Sequence, residues 1–516
     1  MDIQQINTTL NQIFTEKNKQ VIFWYDADKE FEEILPALEL DGAQVLRLDE
    51  MSALELKIKL ELEEPNGKYV LYAPWPEPAP ENDWLFDIKL YAYLFQADPA
   101  SMTLKELGIE RHGLIPYIRS RKAFFRSQDR LNRLKKWVNS EDHEDDIDLK
   151  LLAVVTRADQ PEPFSILMKL IDSFCKSGKY DDSEPSKQWT EMEKLGLMPV
   201  FWNMLKKTFG YVKEDAPGLT DFLLRVFVTD FANTAQADLP ASLSHFLMPN
   251  PSQSMNASVF LSQWRSHTGH FYNYKQVSRF IAQKLKIEDH LKDYAVESII
   301  DVMTFEAVER EIIRSIRDGI INISDNGFNE NRDLIKRRMD GYWTTTAFTD
   351  EDAVNLYKTV YQALLTAIDL FEIRQTYDAG FSYPSADAIF SAYTKEIFLF
   401  DQRYRNFNEL ADKAELAGWD VLKTLRDKIE DVYSGWFMTQ LSLKWGDFLE
   451  SDHPENLLNR WRLSGVMNQY DFFNRHVQSI LKASPRNRLF VVVSDAFRYE
   501  AAEELTRIIK GKYRLS

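Results

Sequence analysis

Two hydrophobic patterns alternate along the first 115 residues. Val21-Ile22-Phe23-Trp24-Tyr25 is a short β-prone run without polar interruption, the mark of a strand covered on both faces. Asp26 and Asp28 follow it, then Phe31, Ile34, Leu35 and Leu38 at helical spacing. Gln44–Leu48 predicts a second strand, and Ser52 is placed to cap a helix carrying Leu54, Ile58 and Leu62. Pro65-Asn66-Gly67 marks a turn before a third strand at Lys68–Tyr72. The order βαβαβ predicts an α/β domain over residues 1–115, a parallel sheet with helices on its faces. Pro74-Trp75-Pro76-Glu77-Pro78-Ala79-Pro80 then breaks the pattern as an extended loop.

From 116 to 483 the period changes to that of helices. Val354, Tyr357, Tyr361, Leu364, Ile368 and Phe371 recur every three or four residues. So do Ile389, Tyr393, Ile397 and Phe400, then Leu422, Leu425, Ile429, Val432 and Trp436, and later Trp461, Tyr470, Phe473 and Val477. These stripes predict an all-α middle region of amphipathic helices packed on one another. Stretches rich in Gly, Pro, Asn, Asp or Ser at 177–187, 214–218, 239–258 and 318–333 predict breaks, and 239–258 is the candidate sub-boundary. No fixed-period repeat is present, which disfavours a solenoid.

The pattern changes again over 484–516. Arg488–Val493 reads as a buried strand ended by Ser494-Asp495, and Tyr499–Lys510 as a helix with Gly511 as its C-cap. Tyr513-Arg514-Leu515 would open another strand. One strand and one helix cannot bury a core alone, so this unit must pack on the helical region or belong to something larger.

Composition adds limits. The 516 residues carry 80 acidic and 63 basic side chains, a net charge of −17, with 44% hydrophobic and 28% charged residues. These globular values exclude general disorder. No apolar run approaches the ~20 residues that span a bilayer. Met1-Asp2-Ile3-Gln4-Gln5 shows no secretory signal. Cys175 is the single cysteine, which excludes an intrachain disulfide and four-cysteine zinc sites and fits the cytoplasm. The acidic balance opposes general coating of nucleic acid. Twelve Trp, 22 Tyr and 33 Phe imply large cores or large interfaces.

Asp495 is the sharpest chemical candidate: a carboxylate at the C-terminal edge of a strand, where open α/β sheets place ligand-binding groups and where it can hold a divalent cation. Capping a helix or pairing with Arg498 is the structural alternative. The stretch Phe490-Val-Val-Val-Ser-Asp-Ala-Phe-Arg-Tyr-Glu-Ala-Ala-Glu-Glu-Leu505 resembles the opening motif of the PglZ domain. The front of the chain is similar to type A PglZ proteins through Val21–Asp26 with Glu30-Phe31, through Asp87–Ala92 with Phe95–Asp98, and through Leu104–Gly108. PglZ is the phosphatase-like component of BREX (bacteriophage exclusion) type 1 defence systems.

That resemblance implies an alkaline-phosphatase-like catalytic domain with two divalent metals, zinc above all. Asp495 then matches the first-strand metal ligand, and Arg498, Tyr499 and Glu500 match motif positions without assigned roles. The nucleophile, a Thr or Ser, and the remaining Asp and His ligands would lie beyond Ser516. Two-metal phosphoryl chemistry needs several carboxylates and imidazoles. The chain is therefore read as a PglZ protein truncated at the start of its enzyme domain: a catalytically silent scaffold with no cofactor of its own. The expected partners are other BREX proteins, a small helical component (BrxB) and the BREX methyltransferase among them, and no membrane.

Other candidates carry less. Arg119, Arg121, Lys122, Arg126, Arg130, Arg133, Lys135 and Lys136 form a basic helix that could meet DNA phosphates, or a solvated face neutralised by the acidic run Glu141–Asp146. His267 and His270 are close enough to share a metal, but no Cys or acidic neighbour completes a ligand set. Asp26 and Asp28 favour capping, because no phosphate-cradling glycine motif accompanies them. The Trp-Pro stretch 74–80 is either a partner-docking loop or packed on its own domain.

Overall fold

The computed structural model describes residues 3–95, 99–109, 111–176, 182, 185–212, 217–322, 328–345, 355–450 and 457–512. They are mostly helical and carry one small parallel sheet near the N-terminus. The chain divides into two compact units, Met1–Thr208 and Phe209–Ser516.

The sheet holds β1 (Val21–Tyr25), β2 (Ala43–Arg47), β3 (Lys68–Ala73) and β4 (Tyr93–Phe95) in the order β2-β3-β1-β4, with every pairing parallel. Alternation along β1 serves both faces, as the uninterrupted run predicts. Ile22 and Trp24 join Val70, Tyr72 and Phe95 in one core layer, under Ile6, Leu10, Ile13 and Phe14 of helix α1 (Ile3–Glu16). Val21 and Phe23 join Tyr69 and Leu71 in the other, under Leu56, Leu60, Leu85 and Ile88.

Several expectations need correction here. Helix α1 and strand β4 are additions to the βαβαβ reading. The first crossover is a short 3-10 turn, Glu32–Ala37, rather than an α-helix, because Pro36 lies inside it and cannot donate to a longer ladder. Ser52 does cap helix α2 (Ala53–Ile58), in a reciprocal box with Glu55. One π turn, Lys59–Glu63, extends α2. Its inward residues are Leu56 and Leu60, whereas Leu54, Ile58 and Leu62 face solvent.

The basic segment is three short helices, α4 (Ile115–Ser120), α5 (Lys122–Phe125) and α6 (Gln128–Leu134), when helix α3 is Phe86–Tyr91. Among the described residues of the acidic run 141–146, Glu141 pairs with Arg111 at 3.7 Å. Glu144, Asp145 and Asp146 form the first turn of helix Glu144–Thr156, where they complement the helix dipole. Asp142 pairs instead with Lys150 at 2.5 Å and Asp145 with Lys207 at 2.7 Å.

In the second unit, helices Leu356–Thr376 and Phe398–Leu416 pack along each other. The 357–371 stripe lies inward there; Val354 falls outside the described residues. The 389–400 and 422–436 stripes each run through a π turn, at Tyr393–Ile397 and Asp431–Phe437. The stripe beginning at Trp461 is not one helix. Trp461 sits at a φ of +41° and is exposed, and short turns replace the expected helix up to Gln469–Asp471, with Gly465 at φ +72° between.

Buried charge in this unit is paired. Arg338 and Glu309 are both wholly buried and ion-paired; Arg338 also donates to the Ile300 and Val302 carbonyls at 2.8 and 3.0 Å. Tyr361 donates to Glu309 at 2.6 Å.

The C-terminal segment differs most from expectation. Leu489–Val493 forms no strand, and Phe490, Val492 and Val493 are exposed. A strand exists only when a neighbour completes its hydrogen bonds, and among the described residues the one sheet lies in the other unit. The helix expected at 499–510 is present as Tyr499–Lys512, so Gly511 lies within it instead of capping it. Tyr513–Leu515 falls outside the described residues.

Candidate functional site

The C-terminal motif is held by its second half. Asp495 is exposed, and its Oδ1 accepts from the backbone N–H of Ala496 at 2.9 Å. Ala496 takes a φ of +55°, turning the chain into the helix. The Tyr499 hydroxyl then donates to the Thr394 carbonyl at 2.8 Å, and its ring meets Phe398 edge-on at 5.5 Å. Glu500 is buried and accepts from Arg405 Nε at 2.9 Å, while Arg405 Nη2 reaches Glu504. Gln402 donates to the Glu500 carbonyl at 3.3 Å. Burial opposes the Arg405 charge, but the Glu504 and Glu500 carboxylates outweigh it and raise its pKa.

These contacts give Tyr499 and Glu500 positions that the motif alone left without a role. They also show what a two-metal centre would find here. Asp495 offers one carboxylate, and among the described residues no group of three His, Cys, Asp or Glu side chains is placed to hold a metal ion. The described residues do not fit a two-metal site.

A second place brings together candidates that the sequence treated separately. A cleft of about 1510 Å³ opens at the C-terminal ends of the sheet strands, lined by Tyr25–Glu33 on one side and by Arg119, Lys122, Arg126 and Lys135 on the other. The connections that leave the neighbouring strands β1 and β3 run to opposite faces, and such a switch point leaves a crevice. Asp26 is spent on structure. It accepts from the backbone N–H groups of Glu30 (3.1 Å) and Phe31 (2.8 Å) and from the Tyr72 hydroxyl (2.5 Å). Burial, then that hydrogen bond, pushes the Tyr72 hydroxyl far above its ordinary value. Burial, then Asp83, also raises Tyr25 at the rim.

The basic side chains are largely paired within the chain. Lys122 approaches Asp28 at 4.0 Å and Arg126 approaches Glu30 at 3.6 Å across the cleft. Arg121 pairs with Asp148 (3.5 Å), Arg130 with Glu191 (3.3 Å), Arg133 with Asp129 (2.8 Å) and Lys135 with Glu106 (2.7 Å). Arg119 lines the same cleft.

The two histidines build a turn. His267 Nδ1 accepts from the Gly269 N–H at 3.1 Å, the rings lie 4.4 Å apart, and the His270 carbonyl accepts from Trp264 Nε1 at 3.0 Å. In the Trp-Pro loop, Glu77 pairs with Lys89 at 2.5 Å, while Trp75 is partly exposed. No helix among the described residues is long and apolar enough to cross a membrane.

Comparison with known proteins bears on the first of these places. Residues 472–516 match the family model described as the BREX system PglZ alkaline phosphatase-like domain. The chain is 34% identical over 498 residues to the alkaline phosphatase-like protein BrxZ of Escherichia coli O9:H4 (strain HS), covering 96% of this chain and 56% of that relative. It is 27% identical over 524 aligned residues to the alkaline phosphatase-like protein PglZ of Bacillus cereus (strain H3081.97), covering 100% of this chain and 58% of that one. The chain thus spans little more than half the length of these curated relatives. No solved structure matches it.

Proposed function

We propose that this chain, which is similar to the PglZ proteins of BREX systems, carries and orients an alkaline-phosphatase-like domain while docking other BREX components. The observation that carries this reading is the anchoring of the family motif. Tyr499, Glu500 and Glu504 are tied to Thr394 and Arg405 of the helical unit, while Leu489–Val493 stands free as a strand run without a sheet. In this reading, Leu489–Val493 is the first strand of the phosphatase-like domain. Asp495 at its end is the one metal ligand supplied here, for a divalent metal, zinc first, bound by the complete domain. This chain alone is silent as a phosphoryl hydrolase, because such chemistry needs a set of ligands and Asp495 is one.

The docking role draws support from the aromatic load and from apolar side chains left on the surface of both units, Trp84 and Phe490 among them. A cytoplasmic setting fits a single buried thiol. Co-expression with the other BREX proteins, including BrxB and the methyltransferase, followed by size-exclusion chromatography, tests the role. A stable complex is expected; a chain that elutes alone from every mixture contradicts it.

DNA contact is a second reading, supported by the exposed Lys122 and Arg126, whose partners lie at loose ion-pair distances. Replacing Arg126, Arg130 and Arg133 should then weaken DNA binding and flatten its salt dependence. Unchanged binding removes this reading.

A further inference from the structure

Helix α2 is apolar on two sides. The sequence Leu54-Glu-Leu-Lys-Ile-Lys-Leu-Glu-Leu62 alternates strictly, a pattern that would suit a strand. Wound as a helix, it sends Leu56 and Leu60 into the sheet and leaves Leu54, Ile58 and Leu62 as an outer stripe at four-residue steps. Helix α3 lies beside it on the same sheet face, joined by Lys57 to Asp87 at 2.8 Å. It buries Ile88 and turns Phe86 and Leu90 outward, with Trp84 just before it. Leu54, Leu62, Leu90 and Trp84 are 69–83% exposed. Exposed apolar side chains gathered on one side of a folded domain mark an interaction surface, and Trp is a frequent anchor in such surfaces.

The rim decides what fits. Glu55, Glu61 and Glu63 are exposed along the stripe, and Glu61 and Glu63 make no ion pair among the described residues. Of the nearby cations, Lys57 and Lys89 are already held, by Asp87 and by Glu77 with Asp83, and the half-buried Lys59 sets one positive charge against the three carboxylates. A second copy docking through a two-fold axis would set these carboxylates against each other. We infer that the outer face of α2 and α3 is a docking site for a basic amphipathic helix of another protein, with apolar residues at i, i+3 or i+4 and i+7 and Lys or Arg along their flanks. This rests on the docking role proposed above and names its surface.

The test uses the 516-residue chain and a fluorescent Leu/Lys amphipathic peptide, with a Leu/Glu peptide of the same apolar pattern as control. Saturable binding of the Leu/Lys peptide alone is expected, with amide-exchange protection over residues 53–63 and 84–91. The variant L54S/I58S/L62S leaves the charge unchanged and should bind about 10-fold more weakly; Trp84→Ser checks the same face independently. Equal binding by both variants, protection that omits 53–63, or a homodimer dispersed by the triple variant overturns the inference. A complex with BREX proteins that leaves 53–63 unprotected overturns this surface and spares the docking role, whereas failure of every BREX complex removes the role itself.

Discussion

Arg405 grips Glu500 across 95 positions of sequence, Nε to Oε2 at 2.9 Å, and so fixes the start of the last described helix on the helical unit. Glu500 is buried, whereas Arg405 is partly exposed. Removing Arg405 leaves a buried carboxylate without its cation, a cost of about 1–3 kcal/mol for a partner lost from such a pair. Arg405→Ala should therefore release Tyr499–Lys512 locally. Amide exchange in that helix should rise sharply while Leu356–Thr376 stays protected. Unchanged protection would mean that Tyr499 and the helix packing suffice without the clasp.

The wholly buried Arg338–Glu309 pair is a different case. Taking away one partner strands a charge in the core, typically about 3–5 kcal/mol. Glu309→Gln should lower the urea midpoint strongly, and Arg338→Met with Glu309→Leu should recover part of the loss. A Glu309→Gln chain of ordinary stability would contradict the burial of this pair.

Glu306 sets an acid limit. Burial alone would raise its pKa, but Arg279 and the Tyr357 hydroxyl, which donates at 2.8 Å, hold the carboxyl below its ordinary 4.5. The folded state therefore binds its proton less readily than the unfolded state. The stabilisation is fully present above the unfolded value and is lost as pH falls through the folded one. Urea midpoints followed from neutral to acid pH should fall less steeply for Glu306→Gln than for the parent chain; equal slopes would remove this contribution.

Cys175 should be inert. Burial, then Asp172, pushes its thiol up to about 12, so almost no thiolate exists at neutral pH. Ellman's reagent should titrate the thiol in denaturant and scarcely at all in the native chain. Rapid native reaction would place Cys175 at an accessible site.

How much of this was legible in the sequence depends on the range of the interaction. Strand β1 and the Ser52 cap are local patterns, and the structure reproduces both. Helix α1 carries a stripe at Ile6, Leu10, Ile13 and Phe14, at a spacing that is legible in the sequence. β4 is three residues long, too short for any period to show. In α2 the alternation made inner and outer leucines equivalent until the sheet chose a side. The cleft was invisible, since Asp28 and Lys122 lie 94 positions apart in the chain. Arg405 gave no signal as the partner of Glu500 for the same reason. The Leu489–Val493 run carries strand pattern, but strand pairing depends on a neighbour that hydrophobicity cannot supply.

The proposed role is to bear and place a phosphatase-like domain without completing its chemistry. Hydrolysis of a chromogenic phosphodiester with added Zn²⁺ or Mn²⁺, compared between this chain and one extended to the length of its relatives, tests it most directly. Turnover is expected from the extended chain, with loss of that turnover in Asp495→Asn and none from residues 1–516 alone. Metal-dependent turnover by residues 1–516 would contradict it and turn attention to Asp28, His267 and His270.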